Sequence, residues 1–311
     1  MPASVIETSV YPMGLQEFSM FRGLVHERTG IWLHDGKQVM LASRLSKRLR
    51  YHGLSNFADY YAYLQRVPDT SEEICELINC VTTNKTSFFR ERHHFDFLAK
   101  TVVPQIQPNG TTRAIRIWSA ACSTGEEPYS IAMTLLESLQ ASKNLKAMTP
   151  PQSAQAKAKL SKLPMSPSSW KIEIVASDID TAVLATAKRA IYRHDSLTTI
   201  DAALQRKYFL LGKDDMQGYV KVKEDLSRLI EFKRINLMDA RWPLDGLYDA
   251  IFFRNALIYF NQKTQDTFLR KMSRYLKPGG YLFLGNAENI PWLRDLFTPL
   301  NQTMYQLRDA R

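Results

Sequence analysis

The feature that most constrains the fold is an alternation of short apolar segments with longer amphipathic ones, which begins near residue 113 and continues almost to the carboxyl terminus. Four segments have the length and the β-branched or aromatic composition of buried strands: AIRIWSA (114–120), KIEIVASD (171–178), YDAIFFRN (248–255) and GYLFLGN (280–286). Helical patterns separate them, among which are EPYSIAMTLLESL and TQDTFLRKMSRYL. Strands that alternate with helices predict a parallel, doubly wound α/β sheet of the Rossmann-like class.

The residues that precede this alternation have a helical pattern instead. Apolar residues recur at helical spacing in two series, Phe18, Phe21 and Val25, then Leu41, Leu45 and Leu49. Gly30 and Gly53 stand where C-terminal caps are expected, and Thr70 with Glu73 fits a capping box. These patterns predict a small all-helical domain.

Two segments interrupt this organisation. Residues 141–170 contain five lysines and no acidic residue among Pro, Ser, Ala and Gln, a composition typical of a flexible linker. Residues 205–235 include YVKVK and LIEFK, whose alternating apolar and charged residues predict a small antiparallel β insertion. We therefore expect a helical domain at 1–90 and an α/β domain at 91–311 that contains both segments.

The formal net charge of +10 does not by itself indicate a nucleic-acid partner, because half of it lies in the lysine-rich segment. No apolar run approaches the roughly 20 residues that a membrane helix needs, and the amino terminus lacks a signal-peptide pattern. We expect a cytoplasmic protein that does not insert into membranes.

The cysteines and the paired histidines do not predict a metal centre. Cys75, Cys80 and Cys122 form no CxxC motif, so neither a disulfide framework nor a zinc site is expected. His93 and His94 are adjacent, without a second His or Cys cluster nearby, and are expected on a helix surface.

The loop after the first predicted strand, WSAACSTGEEPYS (118–130), restricts the cofactor. A dinucleotide site places glycines here so that the backbone can approach a pyrophosphate, whereas this loop has one glycine. Glu126 and Glu127 would repel a pyrophosphate and suit a positively charged cofactor such as S-adenosylmethionine. Alternatively, the two glutamates complement the helix dipole while Pro128 occupies the first turn.

The second predicted strand ends in an acid that suits an adenosine ligand. Asp178 stands at the strand tip, where a carboxylate can accept hydrogen bonds from both ribose hydroxyls, a feature that dinucleotide enzymes share. Asp180 is better explained as the N-cap of the helix TAVLATAKRA.

Several ordered motifs together resemble the chemotaxis receptor methyltransferases, the CheR-type protein-glutamate O-methyltransferases. They are TTNKTSFFRERHHF (82–95), WSAACSTGEEPYSIAM, ASDID, INL (235–237), FFRNALIYF (252–260) and GGYLFLGNAEN (279–289). The resemblance covers nearly the whole chain. It departs from the family in the length of the 141–170 segment and in GNAEN, where Gly-His-Ser-Glu is commoner.

The resemblance implies a set of site residues. The family's cofactor contacts match Asn84, Thr86, Arg90, Glu127, Asp178, Asn236, Leu237, Asn255 and Ala256, with Tyr259 four residues further on. It implies methyl transfer from S-adenosylmethionine, which yields S-adenosylhomocysteine, to glutamates on cytoplasmic chemoreceptor helices. Such a carboxylate is ionised at neutral pH, so no general base and no metal are needed. Arg90 is suited to hold both oxygens of the substrate carboxylate, and Tyr259 is suited to donate a hydrogen bond to it. Alternatively, Arg90 forms only an interdomain ion pair, and Tyr259 is only a half-buried tyrosine of the core.

Other functions are compatible with parts of this pattern. The fold and Asp178 also suit an NAD-dependent oxidoreductase, which the missing glycines and paired glutamates oppose. A nucleic-acid methyltransferase fits the charge, but RNALIYF lacks the Asn-Pro-Pro-Tyr kind of motif that holds a flipped base. A non-catalytic adaptor would bind the cofactor and a receptor without methyl transfer.

Two surfaces are candidates for receptor docking. Lys37, Arg44, Lys47 and Arg48 are expected on one side of a helix over 36–52, where they would attract acidic receptor helices, unless they form only a solvated basic face. In some members of the family, the antiparallel subdomain takes up the receptor's C-terminal peptide as an added strand, which makes 205–235 the second candidate. The alternative is a hairpin whose own lysines protect it from edge pairing.

Overall fold

A computed structural model describes residues 10–106, 113–148 and 170–309. Four helices form the amino-terminal part: α1 (Leu15–Thr29), α2 (Gln38–His52), α3 (Phe57–Leu64) and α4 (Glu72–Val81). They enclose a core of fully buried side chains, which includes Phe21, Leu41, Leu45, Leu49, Phe57 and Tyr60. The predicted all-helical domain is thus confirmed over the part that is described.

The helix ends follow local signals. Gly30 and Gly53 follow α1 and α2 with φ angles of 75° and 65°, which confirms both as left-handed C-terminal caps. The predicted cap at Thr70 is wrong, because the hydroxyl of Ser71 accepts the N–H of Ile74. Glu73 turns into the domain core instead of back toward the cap.

The main sheet has seven strands in the order β6-β2-β1-β7-β8-β10-β9. These strands are β1 (Arg113–Ala120), β2 (Trp170–Asp178), β6 (Ile230–Arg234), β7 (Tyr248–Phe252), β8 (Leu276–Phe283), β9 (Phe297–Pro299) and β10 (Met304–Leu307). All pairings from β6 to β8 are parallel, and β10 is antiparallel to both of its neighbours. The predicted doubly wound α/β sheet is confirmed.

Helices connect and cover these strands. They are α5 (His93–Phe97), which continues through a π-helical turn (Leu98–Val102) into α6 (Val103–Gln105), then α7 (Glu126–Met148), α8 (Thr181–Arg189), α9 (Ala202–Tyr208), α10 (Glu224–Ser227) and α11 (Gln262–Ser273). The prediction that His94 lies on a helix surface is wrong. Its ring is buried against Phe283, which faces it across the interface between α5 and β8.

The antiparallel insertion both begins and ends earlier than the predicted 205–235. Three short strands, β3 (Ile191–Arg193), β4 (Phe209–Leu211) and β5 (Tyr219–Val222), form a separate sheet with β5 in the centre. LIEFK does not belong to it, because β6 pairs in parallel with β2 at the edge of the main sheet. Alternating polarity was misleading here, since an edge strand of a parallel sheet also has an exposed face.

The predicted linker at 141–170 is wrong over 141–148, which belong to α7, and the rest of that prediction falls almost entirely on residues that the structure does not describe. Helix α7 continues to Met148, and β2 begins at Trp170, so residues 149–169 lie outside the described part of the chain. Among the described residues, no helix combines the length and the apolar character that a bilayer span requires.

Candidate active site

A cleft of about 330 Å³ opens at the carboxyl edge of the parallel strands. The loops that follow β1, β2 and β7 form its floor, because the carboxyl ends of parallel strands meet at one edge of a sheet. Residues 81–90, which connect the two domains, and residues 31–40 of the helical domain close its other sides. The cleft therefore lies between the domains, at the position where doubly wound folds bind ligands.

Asp178 is held at the tip of β2 by two backbone N–H groups. Its Oδ2 accepts from Ser123 at 2.8 Å and its Oδ1 from Asp180 at 3.0 Å. The side chain is buried, and burial raises the pKa of Asp178 to about 6. Each carboxylate oxygen keeps a second acceptor site, so the pair can receive two hydroxyl groups from a ligand in the cleft.

Glu127 lines the cleft from the first turn of α7, one strand away from Asp178. Its Oε1 accepts the hydroxyl of Ser119 at 2.7 Å, and its Oε2 accepts Arg254 Nη1 at 3.0 Å. Burial raises the pKa of Glu127, although Arg254 opposes that effect. Glu126 does not line the cleft and accepts the hydroxyl of Thr124 instead, so the two adjacent glutamates have different environments.

Arg254 is the main site residue that the sequence analysis missed. Its side chain is only 2% exposed and lies directly after β7. Besides Glu127, its guanidinium contacts Glu91 Oε2 at 3.0 Å and donates to the carbonyl of Arg90. No local sequence signal identifies this residue, because its partners Glu127 and Glu91 lie more than 120 residues earlier in the chain.

The connecting segment is anchored to both sides of the cleft. The side-chain amide of Asn84 donates to Asp180 Oδ2 at 2.7 Å, while its carbonyl accepts the hydroxyl of Ser123 at 2.9 Å. Thr86 and Arg90 also line the cleft, and Arg90 Nη1 donates to the carbonyl of Lys85 at 2.8 Å. The structural alternative for Arg90, an interdomain ion pair, does not occur among the described residues.

Asp180 has two roles, of which the sequence predicted one. Its Oδ1 accepts the N–H groups of Ala182 and Val183, at 2.9 and 3.1 Å, which confirms it as the N-cap of α8. Its Oδ2 accepts the hydroxyl of Thr82 at 2.6 Å in addition to the amide of Asn84. The cap residue therefore also ties the connecting segment to the sheet.

The segment after β7 is shaped by a buried glutamate. Asn255 has a φ of 58°, and its N–H donates to Glu288 Oε2 at 2.8 Å. Glu288 also accepts the N–H groups of Ile258 and Gly285, so the unusual GNAEN segment holds this turn in place. Asn255 and Ala256 line the cleft beside it.

Tyr259 and the helical domain form the mouth of the cleft. The carbonyl of Tyr259 accepts the N–H of Trp32 at 2.7 Å, and Ile31 forms an antiparallel bridge with Phe260. The phenol hydroxyl of Tyr259 has no hydrogen-bond partner within the described residues, and its ring is half-buried. Its hydroxyl is therefore available to a ligand.

Asn236 and Leu237 line a narrower recess that continues the cleft past Asp178 and Ala256. The side chain of Asn236 is already engaged, because its Nδ2 donates to the carbonyl of Arg28 at 2.7 Å and its Oδ1 accepts the N–H of Met238. The walls of the recess are mostly apolar, which suits a flat aromatic group such as an adenine ring.

The four basic residues predicted to dock a receptor do not form one surface. Arg44 donates to the carbonyls of Val81 and Thr82 at the end of α4, at 2.9 and 2.7 Å. Arg48 is paired with buried Glu73, with Nε to Oε1 at 3.0 Å. The prediction that Arg44 and Arg48 are free to dock a receptor is wrong, because both side chains point toward α4.

The other two basic residues of this set have exposed side chains, although the ammonium of Lys47 lies beside the Cys80 thiol of α4. Lys47 is exposed on α2, and Lys37 is exposed before it and lines the mouth of the cleft. Their position is compatible with docking, which stays a prediction.

Comparison with protein families identifies the chain. The model described as CheR methyltransferase, SAM binding domain, matches residues 84–149 and 158–306, and that described as CheR methyltransferase, all-alpha domain, matches 16–82. The chain belongs to the CheR methyltransferase family. The match covers both the helical domain and the sheet that carries the cleft, so the whole architecture is that of the family.

Characterised relatives of this CheR methyltransferase are similar over nearly their full length. Chemotaxis protein methyltransferase 2 of Pseudomonas aeruginosa is 39% identical over 304 residues, which cover 98% of this chain and 97% of that protein. Chemotaxis protein methyltransferase of Escherichia coli is also 39% identical, over 93% and 90% of the two chains. The enzyme of the same name from Borreliella burgdorferi is 36% identical over 88% of each chain.

The cleft of this CheR chain fits S-adenosylmethionine, its family's cofactor. Asp178 offers two acceptor oxygens at the end of β2, and Glu127 offers a buried carboxylate at the end of β1. These groups match ribose hydroxyls and an ammonium group respectively. The recess beside Leu237 provides apolar walls for the base.

Proposed function

We propose that this protein transfers methyl groups from S-adenosylmethionine to glutamate side chains of chemoreceptors, which forms methyl esters in chemotactic adaptation. The observation that carries the proposal is the placement of Asp178 and Glu127 together on the floor of one interdomain cleft. Family membership and the relatives' names support the chemistry and the pathway.

The proposed cofactor contacts use the cleft residues described above. Asp178 accepts hydrogen bonds from the ribose hydroxyls, and Glu127 accepts one from the amino group. Leu237 and the backbone of Asn236 contact the adenine. Asn84, Thr86, Arg90, Asn255 and Ala256 complete the set that encloses the cofactor. When bound, S-adenosylmethionine supplies a methyl group on a positively charged sulfur.

Arg90 and Tyr259 are proposed to act on the substrate carboxylate. Both lie on the cleft wall, Arg90 in the connecting segment and Tyr259 at the mouth. A guanidinium can hold both oxygens of a carboxylate, and the free phenol can donate one hydrogen bond. These contacts align the nucleophile and exclude water, which is the main catalytic requirement because the carboxylate is already ionised. The proposed reaction needs no general base and no metal.

The receptor is proposed to dock at the helical domain and at the small sheet. Lys37 presents positive charge at the cleft mouth and Lys47 presents it on the exposed face of α2, which suits an acidic helix bundle. In the small sheet, β4 is an edge strand whose Leu210 and Leu211 are exposed. An extended receptor tail can add to such an edge and raise the local concentration of substrate.

The remaining parts of the proposal concern location and other partners. A protein that modifies the cytoplasmic helices of receptors acts in the cytoplasm, without direct membrane insertion and without a nucleic-acid partner. The organisation into a helical domain at 1–90 and a catalytic domain at 91–311 belongs to the same proposal.

The decisive experiment is transfer of a labelled methyl group to receptor-containing membranes, followed by mild alkali. Volatile labelled methanol is expected, because carboxyl esters hydrolyse in base whereas N-methyl groups do not. Base-stable label would contradict glutamate as the acceptor. Receptor with its C-terminal tail removed serves as the second substrate, and equal methylation rates together with no binding of the tail peptide would exclude docking at β4.

A further inference from the structure

One buried cation joins the cofactor side of the cleft to its substrate side. Arg254 contacts Glu127 Oε2 and Glu91 Oε2, each at 3.0 Å, and donates to the carbonyl of Arg90. The three charged side chains are 2%, 12% and 10% exposed for Arg254, Glu127 and Glu91. Water therefore screens these interactions little, and each charge depends on its partners.

We propose that Arg254 is a positioning residue that keeps Glu127 charged for the cofactor's amino group and fixes the backbone of Arg90 toward the substrate. This inference rests on the proposed function, because it assigns the amino group to Glu127 and the carboxylate to Arg90. It adds a residue whose side chain acts through these two neighbours.

The first half of the proposal follows from a count of charges. Two carboxylates, Glu127 and Glu91, share the single guanidinium, which leaves one negative charge that a cationic ligand can neutralise. Burial raises the pKa of Glu127, Arg254 lowers it, and Glu91 raises it further. Burial also raises the pKa of Glu91, but Arg254, together with the N–H of Asn286 and the amide of Asn255, outweighs that effect and lowers it. Glu127 is therefore the member of the pair that protonates first.

The other ionisable groups around this cluster leave that conclusion unchanged. They are Glu126 on α7, Cys122 and Asp178 at the ends of β1 and β2, Arg90 in the connecting segment, and His94 on α5. Burial lowers the pKa of His94 to about 4 and raises that of the Cys122 thiol, so both are uncharged near neutral pH. Neither replaces Arg254 as the counter-charge of Glu127.

The second half follows from the backbone around Arg90. Phe89 and Glu91 on either side have φ angles of 51° and 58°, a left-handed conformation that costs energy for residues other than glycine. Arg254 binds the carbonyl between them and the side chain of Glu91, which fixes this turn. Without Arg254, the turn loses its main buried support and the guanidinium of Arg90 loses its direction.

The test measures S-adenosylhomocysteine affinity by calorimetry at several pH values for wild type, Arg254→Met, Arg254→Lys and Glu91→Gln. An ionised Glu127 binds the amino group, so affinity is full above its pKa and falls as the pH decreases through it. Arg254→Met is expected to move this fall to higher pH by about one unit, so that affinity is about tenfold weaker at pH values below the fall. Glu91→Gln is expected to move it to lower pH, because it leaves Arg254 to Glu127 alone.

Turnover separates the two halves of the proposal. Arg254→Lys keeps the charge and is expected to restore the pH profile of binding, whereas methylation stays about tenfold slower because an ammonium cannot hold both carboxylates and the carbonyl. If affinity falls at the same pH in all four proteins, Arg254 does not keep Glu127 charged. If Arg254→Lys methylates receptor at the wild-type rate, Arg254 does not position Arg90.

The design keeps the outcome interpretable if one variant does not fold. If Arg254→Met is unfolded, Glu91→Gln provides the test, because its affinity is expected to fall at a lower pH than that of the wild type. If the pH of the fall does not change in Glu91→Gln, the proposal is rejected. Failure of the wild-type protein to bind the ligand at any pH would instead reject the proposed function itself.

Discussion

Thr82 donates its hydroxyl to Asp180 at 2.6 Å, across the junction between the helical domain and the sheet. The same carboxylate caps α8 and accepts the amide of Asn84. One side chain thus fixes a helix, the connecting segment and the loop beside the cofactor cleft. Its loss affects folding and binding together.

Asp180→Ala is expected to lower the free energy of unfolding by about 2 to 4 kcal/mol, since it removes a helix cap and two charge-assisted hydrogen bonds. Urea unfolding measures this change. Thr82→Val is the matched control, which keeps the cap but removes the bond to Asp180 and the longer contacts of the hydroxyl with Asn79 and Asn84, both at 3.2 Å, and it is expected to cost about 1 kcal/mol. Equal losses in the two variants would show that the cap contributes nothing.

The buried carboxylate of Asp178 gives a prediction about pH. Its pKa is raised from 3.8 to about 6 in the folded protein, so the folded state binds more protons than the unfolded state between these values. Stability from this group is therefore present at low pH and decreases as the pH rises from 4 to 6, on the order of 3 kcal/mol in total. Unfolding of wild type and Asp178→Asn across this range measures the difference. Identical pH slopes would mean that Asp178 has an ordinary pKa.

Arg90→Lys is expected to reduce the rate of receptor methylation by about tenfold to a hundredfold, because a point charge cannot reproduce bidentate contacts in a buried site. Single-turnover methylation with saturating cofactor isolates this effect from cofactor affinity. A wild-type rate would exclude Arg90 from contact with the substrate.

Tyr259→Phe is expected to slow methylation by about tenfold while the free energy of unfolding changes by less than about 0.5 kcal/mol. The reason is that the hydroxyl has no partner within the described residues, so folding does not depend on it. Thermal unfolding and turnover are measured on the same preparation. A large loss of stability with normal turnover would identify Tyr259 as a core residue.

The basic residues of α2 are expected to separate into two classes. Lys47→Glu should slow receptor methylation about threefold to tenfold at low salt without changing cofactor affinity, and Lys188→Glu on α8 is the control of equal charge change. Equal methylation rates for Lys47→Glu and Lys188→Glu would exclude docking at this surface.

Arg48→Ala should instead destabilise the protein by about 3 kcal/mol, because it leaves Glu73 buried without its cation.

The sequence predicted the elements whose signals are local. Strands β1, β2, β7 and β8 are rich in the β-branched and aromatic residues typical of strands, and Gly30 and Gly53 end helices for a conformational reason. The positions of Asp178 and Glu127 at the cleft follow from the topology, because Asp178 ends β2 and Glu127 lies in the first turn of the helix that follows β1.

The errors concern partners that are distant in sequence. Arg44 and Arg48 have the pattern of a solvated basic face, but they bind the end of α4 and the buried Glu73, which lie 25 or more residues away. The role of Arg254 depends on Glu127 and Glu91, more than 120 residues earlier in the chain. No local pattern reports which cation will reach which buried carboxylate.

Helix α7 leads away from the chemistry. It starts at Glu126 beside the cleft and runs for 23 residues to Met148, a length of about 35 Å, toward the edge of the sheet where Trp170 starts β2. Met148 and Trp170 are thus the ends of α7 and β2 that lie away from Glu126 and Asp178, the cleft ends of the same two elements. A change in the length of the segment that joins them therefore leaves the positions of Glu127 and Asp178 in their elements unchanged, and a fluorescent label attached to that segment is expected to leave the rate of methyl transfer unaffected.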